Sequence, residues 1–269
     1  MEGTRRSPVS VLVIALAWVV VMFLFAPMLV TLPMSLTPER IMAMPDGALS
    51  FRHYETLVRD PIWLGAIRDS LIVGFGATGV ALTVGAAAAT GLWQLGPKAA
   101  RGFGALPLLP LIVPSVVSGL VLSQAAIWLG ILDTYVAAIG SHAILGIPFV
   151  FMTVSAALEG VDQRMVQAAR SLGAGPLRAI WQVVLPNIRP GLMTGAVFAF
   201  FTSWDEIVVT LFVTSRSVFT LPRKIWSDLR ENIDPAVAAI SALMICATLL
   251  VAFIYLVVTT LKARVKVAQ

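Results

Sequence analysis

The sequence predicts an all-α membrane protein with six transmembrane helices and both termini on the cytoplasmic side. The 269-residue chain is 58% apolar and only 12% charged, against roughly 45–50% and 25% in an ordinary soluble domain. Six runs with few or no charges are each about as long as the roughly 20 residues that cross a bilayer. The basic residues are concentrated on one side of the resulting topology. These three observations together predict a multi-span membrane protein.

The six spans are predicted to form one transmembrane domain over residues 1–269. The first contains an unbroken apolar run from Val11 to Val30 with no small-residue cleavage site after it, which favours a retained span over a signal peptide. The last follows Asp234 and Pro235, a pair typical of a helix start. The predicted spans are about 9–32, 66–93, 103–131, 135–158, 189–213 and 236–261, with a cytoplasmic loop at 159–188.

The distribution of Lys and Arg sets the predicted orientation, because short cytoplasmic segments carry an excess of these residues. An even number of spans puts both termini on one side. The segments of that side hold eleven basic and three acidic residues, whereas the opposite segments hold eight and nine. Both termini are therefore predicted to be cytoplasmic, and residues 33–70 to form an external connection. The formal net charge of +5 follows from this asymmetry and indicates no nucleic-acid surface.

Two spans carry features that predict their packing. Span two holds five glycines and six alanines between Leu71 and Trp93. Small residues let helices approach closely in lipid, so we expect this span inside a bundle. Pro107, Pro110 and Pro114 predict a kinked or broken helix at the start of span three.

Several functional classes are excluded by what the sequence lacks. Cys246 is the only cysteine, so internal disulfides and cysteine-based zinc sites are excluded. The segment from Gly91 to Lys98 is not a phosphate-binding loop, because a proline separates its last glycine from the lysine and no Ser or Thr follows. His142 is interpreted as a packed or pore-lining residue rather than a metal ligand, and His53 as a surface residue.

The loop between spans four and five has the pattern of two short helices. The first runs from about Asp162 to Gly173, a residue type that commonly ends helices. The second starts with Pro176 and is predicted to end before Pro186. Its apolar residues recur at helical spacing, which predicts docking on a lipid surface or on another protein. This apolar face comprises Leu177, Ile180, Trp181 and Val184.

The same loop resembles the EAA loop of ABC-importer permeases. The family pattern is Glu-Ala-Ala, three residues, Gly, nine residues, and an aliphatic-x-Leu-Pro ending. Every spacing fits, with Gln in place of the usual Glu, a change that keeps hydrogen-bonding capacity but removes a charge. The matching residues are Gln167, Ala168, Ala169, Gly173, Leu185 and Pro186.

The resemblance implies a MetI-like bundle that is the non-enzymatic transmembrane permease of an importer in the bacterial inner membrane. The EAA residues would form coupling helices that dock on a separate ATPase, with Ala168 and Ala169 permitting close docking, Gly173 the bend, and Pro186 the break into span five. The implied partners are a second permease subunit, two ATPase subunits, an extracellular or periplasmic solute-binding protein and membrane lipid. ATP and Mg²⁺ would bind to the ATPase, so no cofactor is expected on this chain.

Three further segments resemble the second permease subunit of spermidine/putrescine importers: residues 50–57, 203–209 and 220–222. This resemblance implies polyamine transport by a heterodimeric permease pair. Related permeases carry other amine-bearing solutes, GABA-like amino acids, phosphonates or iron. The competing class is a stand-alone secondary carrier or channel, although the sequence shows no inverted repeat of interrupted helices.

Asp205 and Glu206 are two carboxylates inside span five. An acid at the centre of a membrane helix costs roughly 2.5–3.5 kcal/mol on insertion scales, so both are candidates for a function. Asp205 is predicted to lie on the helical face that lines the path of a cationic solute, where aromatic faces would also meet the charge. The alternative is that one or both acids pair with an Arg of a partner subunit or cap a joint of the bundle. The other members of this face are Phe198, Phe201, Thr202 and Val209, and the candidate path residues are Phe201, Thr202, Ser203, Asp205 and Glu206.

Overall fold

The fold consists of helices joined mostly by short loops, in a computed structural model that describes residues 8–231 and 234–267. No strand occurs within these ranges. Arg5 and Arg6, which contribute to the predicted orientation, lie outside the described residues. The helices are α1 (Pro8–Met34), α2 (Arg52–Arg59), α3 (Pro61–Leu95), α4 (Pro97–Phe103), α5 (Leu109–Ile112), α6 (Ser115–Trp128), α7 (Tyr135–Glu159), α8 (Gln163–Ser171), α9 (Pro176–Ala179), α10 (Leu185–Asp205), α11 (Val208–Val213), α12 (Leu221–Glu231) and α13 (Ala236–Val267), with a 3₁₀ turn at Leu106–Leu108 and a π-helical turn at Ile180–Val184.

Helices occupy the positions of all six predicted spans. Four are long and apolar enough to cross a membrane, namely Leu12–Met34, Pro61–Leu95, Tyr135–Glu159 and Pro176–Asp205. A bent pair, Pro97–Ile112 with Ser115–Trp128, makes a fifth when it is counted as one span. α13 is apolar over Ala236–Leu250. The count of six and the orientation stay predictions.

The chain divides into two compact units, and the prediction of one domain over 1–269 stays a prediction. One unit contains residues up to 64 and from 225 onward. Within it, α13 contacts α1 and α2. His53 of α2 is only 5% exposed, and its Nε2 lies 2.9 Å from the Glu39 carbonyl oxygen. The predicted surface position of His53 is therefore wrong, because the segment after α1 turns back and hydrogen-bonds to α2.

The second unit, residues 65–224, is built on the packing of α7 against α10. A Cβ added to Gly191 of α10 would lie 2.7 Å from the Thr153 carbonyl oxygen of α7. One added to Gly195 would lie 3.0 Å from the Val150 Cα. These glycines let the two backbones approach closely, the packing mode that holds helices together in lipid.

The glycine-rich α3 packs into the same unit, as the sequence predicts. At Gly74 and Gly76 an added Cβ would lie 2.9 and 2.7 Å from side chains of α10 and α7. At Gly85 it would lie 2.8 Å from Val150 of α7. The expected position of this span inside a bundle is thereby confirmed.

The predicted break in span three is also present. The chain from α4 to α5 and the following α6 are bent by 100°. Val113 and Pro114 separate the two parts, both with extended ψ angles of 126° and 139°. Proline removes an N–H donor and restricts the residue before it, which explains the break at this point.

The predicted helix end before Pro186 is wrong, because a π-helical turn carries the chain through it. In this wider turn the N–H of Leu185 donates to the carbonyl of Ile180, five residues back. The Asn187 side chain donates to the Val183 carbonyl at 2.7 Å. The helix therefore runs continuously from Pro176 to Asp205, and no break occurs at Pro186.

Candidate subunit-contact surface and solute path

The first helix of the loop, α8, is defined at both ends by its own sequence. The Asp162 carboxylate accepts the N–H of Arg164 at 2.8 Å, a typical N-cap. Gly173 has a φ of +89°, and the N–H groups of Gly173 and Ala174 donate to carbonyls of the last turn at 3.0 Å. This left-handed ending favours glycine. The predicted first helix and its end at Gly173 are confirmed.

The EAA-like residues lie on the outer side of α8. Gln167 and Ala168 are exposed, and Ala169 is half-buried. Gln167 lines a cleft of about 210 Å³ between α8 and the end of α3, together with the polar side chains of Gln94 and Arg170. The small alanines thus leave the backbone of α8 open to a partner.

The predicted apolar face of the second helix is divided between the core and the surface. Val184 is fully buried and Ile180 is half-buried against the core. In contrast, 73% of Leu177 and 67% of Trp181 are exposed, and Leu172 between the two helices is 89% exposed. Exposed apolar side chains on a helical loop of this kind are compatible with contact to lipid or to another protein. We call the following residues the loop surface: Gln167, Ala168, Leu172, Leu177 and Trp181.

The predicted fifth span is broken at its two acids. α10 ends at Asp205 and α11 begins at Val208, and Glu206 has an extended ψ of 111°. The sequence did not predict this break. A break inside a membrane frees backbone N–H and C=O groups, and these groups need hydrogen-bond partners within the protein. An acid beside the break can supply such a partner.

The two acids have different surroundings. The Glu206 carboxylate accepts the N–H of Val209 at 2.8 Å, which satisfies a donor in the first turn of α11. The Glu206 carbonyl accepts the Thr210 hydroxyl at 2.9 Å. Asp205 is exposed, and its carboxylate has no hydrogen bond or ion pair among the described residues. Glu206 therefore stabilises the break, whereas the Asp205 carboxylate is exposed and unpaired within the described residues.

The other predicted path residues divide between an exposed face and the interior. Phe201 is 53% exposed and Thr202 is half-buried. They follow Phe198, which is 49% exposed, on the face that ends at Asp205. Ser203 is buried, with 5% exposed. The placement of Val209 on this face is wrong, since the break after Asp205 interrupts the helical period and Val209 packs fully buried in the core.

His142 joins the two halves of the broken span, a role that the sequence did not indicate. Its Nδ1 lies 2.8 Å from the Ser203 hydroxyl of α10, and its Nε2 lies 2.9 Å from the Thr210 hydroxyl of α11. It is 1% exposed, which agrees with its interpretation as a packed residue. The partners are 61 and 68 residues away, so no local spacing reveals them.

Asp133, in the turn between α6 and α7, binds the segment after α11. Its carboxylate accepts the N–H groups of Ser215, Arg216 and Ser217 at distances from 2.6 to 3.2 Å, and the Ser217 hydroxyl at 3.0 Å. Burial alone would raise the pKa of Asp133, but these hydrogen bonds favour the charged form and lower the pKa to about 2. Asp133 is therefore a structural carboxylate.

The beginning of α3 holds the same segment a few residues further on. The Asp69 carboxylate accepts the Tyr135 hydroxyl at 2.6 Å and the N–H of Phe219 at 2.9 Å. The Ser70 hydroxyl accepts the N–H of Leu221 at 2.7 Å. We call Asp69, Ser70 and Asp133 the loop clamp. It fixes residues 214–221 as one ordered segment.

Apolar helices of membrane length, one of them broken beside a free carboxylate, together with an exposed helical loop of EAA spacing, define a membrane permease. The family described as "Binding-protein-dependent transport system inner membrane component" matches residues 3–266. The chain belongs to this family. It is a permease subunit of an ABC importer in the inner membrane, as the loop predicts.

Curated relatives align over most of the chain. The putrescine transport system permease protein PotI of Escherichia coli (strain K12) is 30% identical over 98% of this chain and 96% of its own length. PotC of Haemophilus influenzae, a spermidine/putrescine transport system permease protein, is 26% identical over 87% of this chain and 91% of its own length. PhnV of Salmonella typhimurium, named for 2-aminoethylphosphonate transport, is 30% identical over 86% of this chain and 87% of its own length.

A solved structure has the same fold. It is a bacterial ABC transporter involved in the import of the acidic polysaccharide alginate, and one of its chains superposes with a TM-score of 0.72 at 15% identity. The match covers 97% of this chain and 98% of that one. The predicted MetI-like permease fold is confirmed.

Proposed function

We propose that this chain is one of two permeases in an ATP-driven importer of polyamines such as putrescine or spermidine. It acts with a second, non-identical permease, two ATPase subunits and a solute-binding protein. ATP and Mg²⁺ are held by the ATPase, and the chain itself performs no covalent chemistry and holds no cofactor. The relatives PotI and PotC support the polyamine as solute.

The observation that carries the choice of solute is the free carboxylate of Asp205. It lies exposed at the end of α10, one turn beyond the exposed ring of Phe201. A carboxylate and an aromatic face both attract a cation. α10 contains no Lys or Arg after Arg189, so this face offers no cation to a phosphonate group and repels that group at Asp205. The face therefore favours a polyamine over a 2-aminoethylphosphonate.

The loop surface is the proposed ATPase contact. Its exposed Leu177 and Trp181 begin the same continuous helix that ends at Asp205. This helix has 30 residues, which at a 1.5 Å rise corresponds to a rod of roughly 45 Å. A displacement of the loop by the ATPase is therefore transmitted along one rod to the proposed solute path. Gln167 contributes hydrogen bonds to this contact but no charge.

We expect the solute-binding protein to contact the segments predicted to be external, residues 33–70 and 214–235. The loop clamp supports this proposal, because it keeps residues 214–221 in a fixed conformation that a partner can recognise without an ordering cost.

The test of the solute path is uptake of radiolabelled putrescine into proteoliposomes that contain the complete importer and internal ATP. Asp205→Asn removes the free charge with little change in volume, and we expect uptake to fall by about tenfold or more, since a hydrogen bond to a charged group is worth ~1.5–3 kcal/mol. Glu206→Gln is the matched control, because its amide oxygen still accepts the Val209 N–H. Unchanged uptake by a normally assembled Asp205→Asn importer contradicts the proposal.

A further inference from the structure

The break between α10 and α11 is held by a chain of buried polar groups centred on His142. Ser203, Thr210 and His142 are all buried. These residues belong to three helices, α10, α11 and α7. Buried polar groups of this kind are costly unless each finds a hydrogen-bond partner. The first question is therefore which group donates and which accepts in each hydrogen bond.

One tautomer of His142 satisfies every group in the network. The Thr210 hydroxyl donates its one proton to the Glu206 carbonyl at 2.9 Å, so it accepts from Nε2–H of His142 at 2.9 Å. Nδ1 of the neutral ring is then an acceptor, and the Ser203 hydroxyl donates to it at 2.8 Å. The assignment follows from the hydrogen-bond network.

The network joins the two sides of the break through one rigid ring. Ser203 lies on α10, two residues before Asp205. On the other side of the break, the Thr210 hydroxyl of α11 donates to the Glu206 carbonyl. Glu206 and Ile207 separate the two helices, and Glu206 is extended, with a ψ of 111°. The imidazole spans the link and ties α10 to α11 directly, in addition to the packing of α11 on α6 and α7.

We propose that His142 is a positioning residue for transport: it fixes the angle between α10 and α11 and so holds the Asp205 carboxylate in the orientation that meets the solute. The inference rests on the proposed function, because it takes Asp205 to line the path. His142 itself is buried and does not touch the solute. In importers that still assemble, we therefore expect removal of its hydrogen bonds to lower the efficiency of transport.

The test compares hydroxyl deletions of nearly equal volume in the complete importer in proteoliposomes. Ser203→Ala and Thr210→Val each remove one partner of His142, and His142→Ala removes both bonds. Thr78→Val is the matched control, since the buried Thr78 hydroxyl donates within its own helix, to the Gly74 carbonyl at 2.7 Å, and has no other partner among the described residues. The quantities measured are putrescine taken up per ATP hydrolysed, and the melting temperature of the purified importer as a check on folding.

We expect Ser203→Ala and Thr210→Val to lower the ratio of uptake to ATP hydrolysis about tenfold. This factor corresponds to the free energy of one hydrogen bond near the upper end of its usual range. Thr78→Val should stay within about twofold of the original. His142→Gln is the rescue variant, because its amide group can replace Nε2 toward Thr210, and it should retain more of the ratio than His142→Ala. If His142 had a merely structural role, Ser203→Ala, Thr210→Val and His142→Ala would lower the melting temperature, and His142→Gln would not restore the ratio of uptake to ATP hydrolysis.

Two outcomes overturn the inference. One is an assembled His142→Ala importer with an unchanged ratio of uptake to ATP hydrolysis. The other is an effect of Ser203→Ala and Thr210→Val no larger than that of Thr78→Val, a comparison that stands even when His142→Ala does not assemble. Failure of the proposed function looks different, because the unmodified importer would then show no ATP-driven putrescine uptake at all.

Discussion

Replacing Asp133 by Asn should loosen residues 215–217 and leave the rest of the fold in place. Asn tolerates the φ of +59° at this position and keeps one acceptor oxygen. Its NH₂ group, however, replaces an oxygen that accepts the N–H of Ser217 at 3.1 Å and its hydroxyl at 3.0 Å. These bonds lie near solvent, so we assign about 1 kcal/mol to the lost charge and acceptor together, which is about a fivefold increase in local opening.

The pH dependence of this contact follows from the direction of the pKa shift. The folded pKa of Asp133 is about 2, below the ordinary 3.8, so its stabilising contribution is fully present above 3.8 and is lost as the pH falls from 3.8 toward 2. Protection of the amides of residues 215–217 should therefore be equal at pH 7 and pH 4.5, after correction for the intrinsic rate of exchange.

The assay is hydrogen exchange followed by mass spectrometry on the complete importer in lipid nanodiscs. We expect peptides over 214–221 to exchange about five times faster in Asp133→Asn, with no change in α7 or α10. Asp46→Asn, at an exposed loop position, is the control for loss of a charge. Equal exchange of 215–217 in the variant and the original, or a loss of protection between pH 7 and pH 4.5 in the original, would refute the role given to Asp133.

The remaining predictions concern packing, subunit contact and selectivity. Gly191→Ala should lower the free energy of unfolding of the purified chain by about 1–3 kcal/mol, because the added Cβ would lie 2.6 Å from Ala157 Cβ. Gly140→Ala is the control, since a Cβ added there has no atom within 4 Å. It should be neutral or stabilising in the same thermal unfolding measurement. Leu177→Glu should abolish co-purification of the ATPase, whereas Leu49→Glu, similarly exposed at 68% in the predicted external segment, should leave it intact. Spermidine should compete with putrescine for uptake and 2-aminoethylphosphonate should not, as competition with labelled solute will show.

Features that depend on local sequence could be predicted. The prolines around 107–114 break span three, three of the glycines of α3 (Gly74, Gly76 and Gly85) lie against neighbouring helices, and Gly173 ends α8 with a left-handed residue. In each case the physical cause lies in the residue itself, through a missing N–H, a missing side chain or a permitted φ. The EAA spacing likewise identified the class of protein, because the pattern is confined to one loop.

Features that depend on distant partners, or on competition between local rules, could not be predicted. At Pro186 the rule that proline ends a helix competes with the π-helical turn, which the surrounding packing stabilises. The two acids of span five were recognisable as unusual, but their different roles depend on a break that interrupts the helical period after Asp205. The bonds from Asp133 and His142 cross 61 to 84 residues of sequence, where spacing carries no information.

The most direct test of the account measures whether transport by this chain is driven by ATP. Proteoliposomes containing both permeases, the ATPase and the solute-binding protein should accumulate radiolabelled putrescine against its gradient with internal ATP and Mg²⁺, and should stop when ATP is omitted or the ATPase is left out. Putrescine flux through the isolated chain, driven by a solute or ion gradient without ATP, would contradict the account.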